Sequence, residues 1–255
     1  MAAAVALPAG SASADPLPGR ILKFQQLPMN GTKISSPSGI TQEYWGHDEL
    51  STAVARYVTT SNATQLVGYQ GTFMADDFAD WFNDPVVHVR WWGSYINNEI
   101  IQPVDRFLIA FETDVPAVPG AASFSRPGEV LSAQVVTKGP LSPGSGTYTE
   151  KRITVASAGG ATEDLYEYNA ELRIPFDEVA CEIYWLKIVA LVDAGPSTVP
   201  PTGQVTQWGW HSRDWTTQDL LACTPADGVV PGEHITLERT LETPCPKAHS
   251  HLCLR

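Results

Sequence analysis

Charge is scarce in this sequence. Only 17% of the 255 residues are Asp, Glu, Lys or Arg, and the 16 basic residues face 28 acidic ones, a net charge of −12. The basic residues form no stripe along the chain. Phosphate neutralisation supplies most nucleic-acid affinity, so no nucleic-acid partner is expected. Long apolar runs are missing as well. None reaches the roughly 20 residues of a helical membrane span, so no such span is expected. The motifs of common chemistry are absent too. There is no G-x-S-x-G elbow, no H-E-x-x-H helix and no G-x-x-x-x-G-K-[ST] phosphate loop.

What the sequence does hold is apolar and punctuated. Hydrophobic residues make up 43%, and 20 Gly and 20 Pro fall between short apolar runs. That pattern favours strands and turns over long helices. The length suits a single all-β unit with a sizeable core.

Several segments alternate with the two-residue period of a half-buried strand. In residues 86–95, Val87, Val89 and Trp91 share one face, and His88, Arg90 and Trp92 share the other. Phe107, Ile109 and Phe111 fall on one side. Tyr166, Tyr168, Ala170, Leu172 and Ile174 alternate with Glu167, Asn169, Glu171 and Arg173. Residues 182–193 are almost continuously apolar, as in a central strand covered on both faces. Further strands are expected at residues 21–24, 68–73, 130–137, 148–155 and around 208–211. Residues 29–39 read as a loop. Residues 44–51 are harder to place: Asp48 is suited to cap a short helix through Arg56, and a loop fits equally well. Eight or nine strands with little helix predict a two-sheet antiparallel β-sandwich of jelly-roll type.

The ends differ from this body. Ala12 and Ala14 form an A-x-A pattern ahead of Asp15, as at a signal-peptidase site. Residues 1–14 are therefore expected to be a signal-peptide remnant or an extended arm, residues 15–232 one sandwich domain, and residues 233–255 an atypical tail. Four cysteines, Cys181, Cys223, Cys245 and Cys253, permit two disulfides in an exported protein, with three possible connectivities. Cys245, His249, His251 and Cys253 cluster, but their spacing matches no usual zinc finger.

The order of motifs carries a resemblance. The stretch Ala75-Asp76-Asp77-Phe78, the strand ending Trp91-Trp92-Gly93-Ser94-Tyr95, and the segment from Trp208 to Trp215 stand in succession. Between them lie "FLIAFETD" at residues 107–114, Arg126-Pro127-Gly128-Glu129, and "IYWL" at residues 183–186. This succession resembles a family of secreted bacterial domains of unknown function, found in planctomycetes and environmental sequences. The resemblance implies an exported β-sandwich and brings no established chemistry. In that family another strand follows the segment matching residues 231–233. Here the tail runs on with Cys, His, Pro and basic residues, as a divergent or frameshifted end. An unpaired sheet edge would result, open to a strand from another chain.

Candidate sites follow from residue type. Asp76, Asp77, Asp80 and Asp84 could supply oxygen ligands to calcium, although turn-forming Asp residues give the same pattern. No cofactor is otherwise required. Trp92 with His88 and Arg90, and Trp210 with His211, Arg213 and Asp214, are aromatic-plus-polar groups suited to stacking on a sugar. Tryptophan more often fills the space between sheets, and Trp91 and Trp185 are expected there. Glu112, Glu129 and Glu171 are each compatible with a glycosidase, which needs two carboxylates flanking one bond.

These readings favour a non-catalytic, extracellular structural protein. Its expected form is a self-assembling filament or surface-layer subunit joined by strand complementation. The alternatives are a lectin-like carbohydrate-binding module for surface polysaccharide and a secreted glycoside hydrolase.

Overall fold

The computed structural model describes residues 20, 23, 30–35, 41–45, 48–79, 82–118, 125–156, 162–196 and 205–211. Among them the chain forms β1 (Asn30–Ser35), β2 (Thr41–Trp45), β3 (Asp48–Leu50), β4 (Thr52–Thr59), β5 (Thr64–Gly71), β6 (Met74–Phe78), β7 (Val86–Tyr95), β8 (Arg106–Val115), β9 (Arg126–Lys138), β10 (Thr147–Ala156), β11 (Thr162–Phe176), β12 (Tyr184–Val192) and β13 (Trp208–His211). A single 3-10 turn, Ile96–Asn98, is the one helical element described. The fold is all-β.

β1 and β2 make a separate antiparallel hairpin. The other strands belong to one hydrogen-bonded sheet, ordered β3-β13-β7-β11-β10-β9-β8-β12-β4-β5, with β6 also on β12. The expected architecture had two separate sheets. Here the hydrogen bonding runs through, because β9 and β10 meet in parallel at Thr137↔Thr147 and Lys138↔Tyr148. The sheet bends at that joint. Its first half, β3-β13-β7-β11-β10, then faces its second half, β9-β8-β12-β4-β5.

The core between the halves shows the bend. Phe107, Ile109 and Phe111 of β8 are buried with Val89 and Trp91 of β7, Tyr148 of β10, Tyr168 and Leu172 of β11, Ile188 of β12 and Trp208 of β13. The Phe107 ring lies 4.9 Å from that of Trp208 and 5.3 Å from that of Trp91. Phe111 stacks on Phe176 at 4.2 Å. Each such side chain gains roughly 1.5–3 kcal/mol on leaving water. Gly93 is required here, since a Cβ on it would sit 2.2 Å from the Trp208 indole and 2.4 Å from the Gly209 carbonyl.

A second joint lies at Ser51 and Thr52. Ser51 N–H donates to the Trp208 carbonyl at 3.0 Å, and Ala190 N–H donates to the Ser51 carbonyl at 2.9 Å. Thr52 Oγ1 accepts from Trp208 N–H at 2.7 Å and donates to the Trp208 carbonyl at 2.8 Å. Two buried hydroxyl residues thus tie β13 of one half to β12 of the other.

β12 explains its own continuous apolar run. β8 flanks it on one side, while β4 and β6 share the other. Ile188, Ala190 and Val192 face the core, and Val189 and Leu191 form an outer cluster with Ala53, against which Tyr69 and Leu108 pack.

Three expectations are corrected. Residues 48–56 form no helix: they are β3 and β4, where Ala53 packs against β12. Residues 29–39 are not wholly loop, since β1 occupies Asn30–Ser35. The alternation in β11 also breaks after Leu172. The ladder to β7 jumps from Glu171↔His88 to Phe176↔Val86. Ile174 is left 57% exposed. Pro175 next to it has no N–H to give to a ladder.

Candidate functional site

The outer face of β7 and β11 gathers most of the polar candidates. Because alternate side chains point to opposite faces, burying Val89 and Trp91 turns His88, Arg90 and Trp92 outward. The register sets Glu171 opposite His88, Asn169 opposite Arg90 and Glu167 opposite Trp92. His88 Nδ1 lies 3.0 Å from Glu171 Oε1, and its Nε2 lies 3.3 Å from Asn169 Oδ1. Arg90 Nε donates to the same Asn169 oxygen at 2.9 Å, and Asn169 Nδ2 donates to Glu167 at 2.9 Å. Trp92 borders this network, half-buried.

Arg20 completes it. Its guanidinium makes two hydrogen bonds to Glu171, at 2.7 and 2.9 Å. The Glu171 side chain is only 2% exposed. Burial opposes its ionisation, yet the hydrogen bonds from Arg20 and His88 outweigh that and hold its pKa below the usual carboxylate value. Arg20 is correspondingly raised by the same bond. A second pair lies nearby in sequence, Lys23 with the buried Glu178. Lys23 also sits 5.7 Å over the Phe82 ring. Arg20 and Lys23 are thus each held by a buried carboxylate.

β13 lies beside β7, with Gly93 opposite Trp210 and Ser94 opposite Gly209. The two groups predicted as sugar-binding are thus on neighbouring strands, but their tryptophans do not share a face. Trp210 packs against the core beside Trp208, whereas Trp92 points outward. His211 is nearly buried, with Nδ1 3.0 Å from Asp48 Oδ1. Ser94 Oγ donates to the other Asp48 oxygen. The carboxylate lies between hydroxyl and imidazole. A nucleophilic triad needs the imidazole in the middle, and this order does not supply it. Arg213 and Asp214 lie outside the described residues.

The acidic candidates are placed differently from their expected loop. Asp76 and Asp77 are successive residues of β6, opposite Leu186 and Trp185. Phe78 and Leu186 pack on the core, so Asp76 points to that side and Asp77 to the outer face. Two carboxylates turned to opposite faces cannot grip one ion together. Burial first, and the Asp77 charge second, raise the Asp76 pKa well above its ordinary value. Asp84 is exposed before β7, and Asp80 lies outside the described residues. Among the described residues no group of three or more His, Cys, Asp or Glu could hold a metal ion.

Glu112, another candidate, pairs with Lys187. Leu186 and Ile188 beside Lys187 pack on the core, so this pair occupies the outer face of the second half. Glu171 occupies the outer face of the first, with the core between them. Glu129 is exposed on β9. Trp185 does not join the core as expected: its Nε1 donates to Asp114 at 2.9 Å on the outer face. Trp91 does, at 1% exposure.

Cys181 is disulfide-bonded, while Cys223, Cys245 and Cys253 lie outside the described residues. Sequence reasoning missed Arg20, Lys23, Asp48, Ser94 and Asn169. Only the polar period of β11, matched to that of β7, could have pointed to Asn169.

Residues 22–253 match a domain of unknown function, DUF7901, and the chain belongs to that family. Comparison with curated proteins and with solved structures gives no match. Among the described residues no helix is long and apolar enough to cross a membrane.

Proposed function

We propose that this chain is a non-catalytic subunit of an extracellular assembly, a filament or surface layer, in which copies join by strand addition. The observation carrying this reading is the edge at β5. That strand ends the sheet and has no partner on its outer side among the described residues. Natural edges are guarded by Lys, Pro or brevity. β5 runs eight residues, TQLVGYQG, with neither charge nor proline. Leu66 and Val67 on it are 45% and 58% exposed. Its one guard is the bulge at Val67, where the register with β4 shifts. Export is supported by the disulfide at Cys181 and the small-residue pattern ahead of Asp15.

Light scattering and electron microscopy of the purified protein at rising concentration test this reading. Ordered assemblies are expected, and a monomer at every concentration would refute it.

A second reading, binding of surface polysaccharide, is favoured by Trp92 standing outward beside Arg90 and Glu167. It predicts retention on an insoluble polysaccharide that Trp92→Ala abolishes. Against it, the polar neighbours of Trp92 already bond one another.

A further inference from the structure

We infer that the core tryptophans pass oxidising equivalents to Tyr95, with Glu150 taking up the proton, so that an indole oxidised by one electron is restored. This activity needs no second copy and is independent of the assembly reading. A directed chain of hydrogen bonds leads outward from the middle of the core. Trp208 Nε1 donates to Tyr168 Oη at 3.0 Å. The Tyr168 hydroxyl in turn donates to Tyr95, and Tyr95 Oη donates to Glu150 Oε2 at 2.8 Å. Lys138 Nζ donates to the other Glu150 oxygen at 2.7 Å. The polarity is fixed from both ends, because an indole N–H can only donate and a carboxylate can only accept. Trp208, Tyr168 and Tyr95 are buried, whereas Lys138 is 46% exposed. Burial first, then nearby phenol and carboxylate charge, raises the pKa of both Tyr95 and Tyr168. Neither phenol ionises alone near neutral pH, so each gives up its proton along the chain.

The rings supply an electron route along the same line. Trp91 stacks on Tyr168 at 5.3 Å with the planes 8° apart, and the Trp208 ring lies 5.7 Å from Tyr168. Tyr166 bridges onward, 6.4 Å from Tyr168 and 5.1 Å from Tyr95. Ring-to-ring gaps this short permit electron hopping. Trp91 Nε1 is buried with no hydrogen-bond partner among the described residues. Its radical cation has no group to take the proton, so it keeps its oxidising power until an electron arrives. That electron comes from Tyr95 by way of Tyr168, and the Tyr95 proton passes to the Glu150 carboxylate, which lies within proton-transfer reach. The products are an intact tryptophan, a Tyr95 phenoxyl radical and a protonated Glu150. A one-electron radical oxidant starts the sequence. A one-electron reductant, such as ascorbate or a thiol, then returns Tyr95 to the phenol as Glu150 gives the proton back.

Photogenerated ruthenium(III) tris-bipyridine oxidises the protein by one electron, and transient absorption with electron paramagnetic resonance identifies the radical. In the unaltered protein a tryptophanyl signal should give way to a tyrosyl signal at a rate independent of protein concentration. Tyr95→Phe should lower the tyrosyl yield several-fold, and peptide mass spectrometry should find Trp91 and Trp208 oxidised several-fold more. Glu150→Gln keeps every ring and removes the proton acceptor, so tyrosyl growth should slow several-fold. Circular dichroism checks that both variants fold, and Glu150→Gln decides alone if Tyr95→Phe does not. No tyrosyl radical in the unaltered protein overturns the inference, as does an undiminished yield in Tyr95→Phe or an unchanged rate in Glu150→Gln. The assembly reading stands or falls separately.

Discussion

Replacing Phe107 with Ala probes the claim that the two halves of the sheet face each other. Phe107 belongs to β8, in the second half, and is fully buried. Its ring meets four aromatic rings from the first half, Trp91 at 5.3 Å, Tyr148 at 5.1 Å, Tyr168 at 5.2 Å and Trp208 at 4.9 Å, all edge to face. A buried Phe→Ala change costs about 3–5 kcal/mol, from lost transfer energy and the cavity left behind. The edge-to-face pairs are part of that figure and are not added to it. The upper end is expected here, because four rigid rings on opposed strands cannot easily collapse into the space. For a chain of this size each kcal/mol lowers the melting temperature by about 2–4 °C, so the shift should be roughly 6–20 °C. Thermal unfolding measures that shift and urea unfolding followed by tryptophan fluorescence the free-energy loss, with Val130→Ala as an exposed control expected within about 0.5 kcal/mol. A Phe107→Ala loss below about 1 kcal/mol, at unchanged denaturant slope, would mean that the halves do not pack on one another.

Two further predictions concern acid. The Glu171 pKa is depressed in the folded chain, so its contribution is complete above the unfolded pKa and is lost as pH falls through the lower folded one. Glu171→Gln should therefore be less stable than the unaltered protein at about pH 6, and the gap in urea midpoint should narrow below about pH 4; a gap that stays constant would refute the Arg20 clamp. Asp76 has the opposite sign, because its raised pKa opposes folding at every pH where the unfolded chain ionises it. Asp76→Asn should gain stability near pH 7 and match the unaltered protein near about pH 3, and a variant no more stable at pH 7 would place Asp76 in solvent.

Much of the fold was legible because its long strands announce themselves. β7 keeps the faces its alternation assigns, and Phe107, Ile109 and Phe111 are buried together as expected. The run at residues 182–193 is a central strand with neighbours on both sides. The short strands were not legible. β3 has three residues and β6 five, too few for a period to rise above composition. Asp76 and Asp77 in β6 look like turn residues because carboxylates rarely sit in strands. Their placement is imposed by pairing with β12. The same holds for the clamp. Arg20 and Lys23 are isolated cations in a Pro-rich stretch, and nothing local says that Glu171 and Glu178 wait some 150 residues away. Trp185 went astray because its neighbours, Tyr184 and Leu186, claim the core, and alternation then turns it outward.

The disposition of the buried carboxylates bears on what such a molecule can do. A glycosidase needs two carboxyl groups about 5–10 Å apart across one bond. Glu112 and Glu171 lie on the outer faces of opposed half-sheets, and packed sheets are already about 10 Å apart before outward side chains are counted. Each is also taken by a cation, Lys187 for Glu112 and Arg20 for Glu171. Cleaving a bond between them would require the core itself to part. Glu112 instead holds β8 to β12 through Lys187, and Glu171 holds Arg20 to β11.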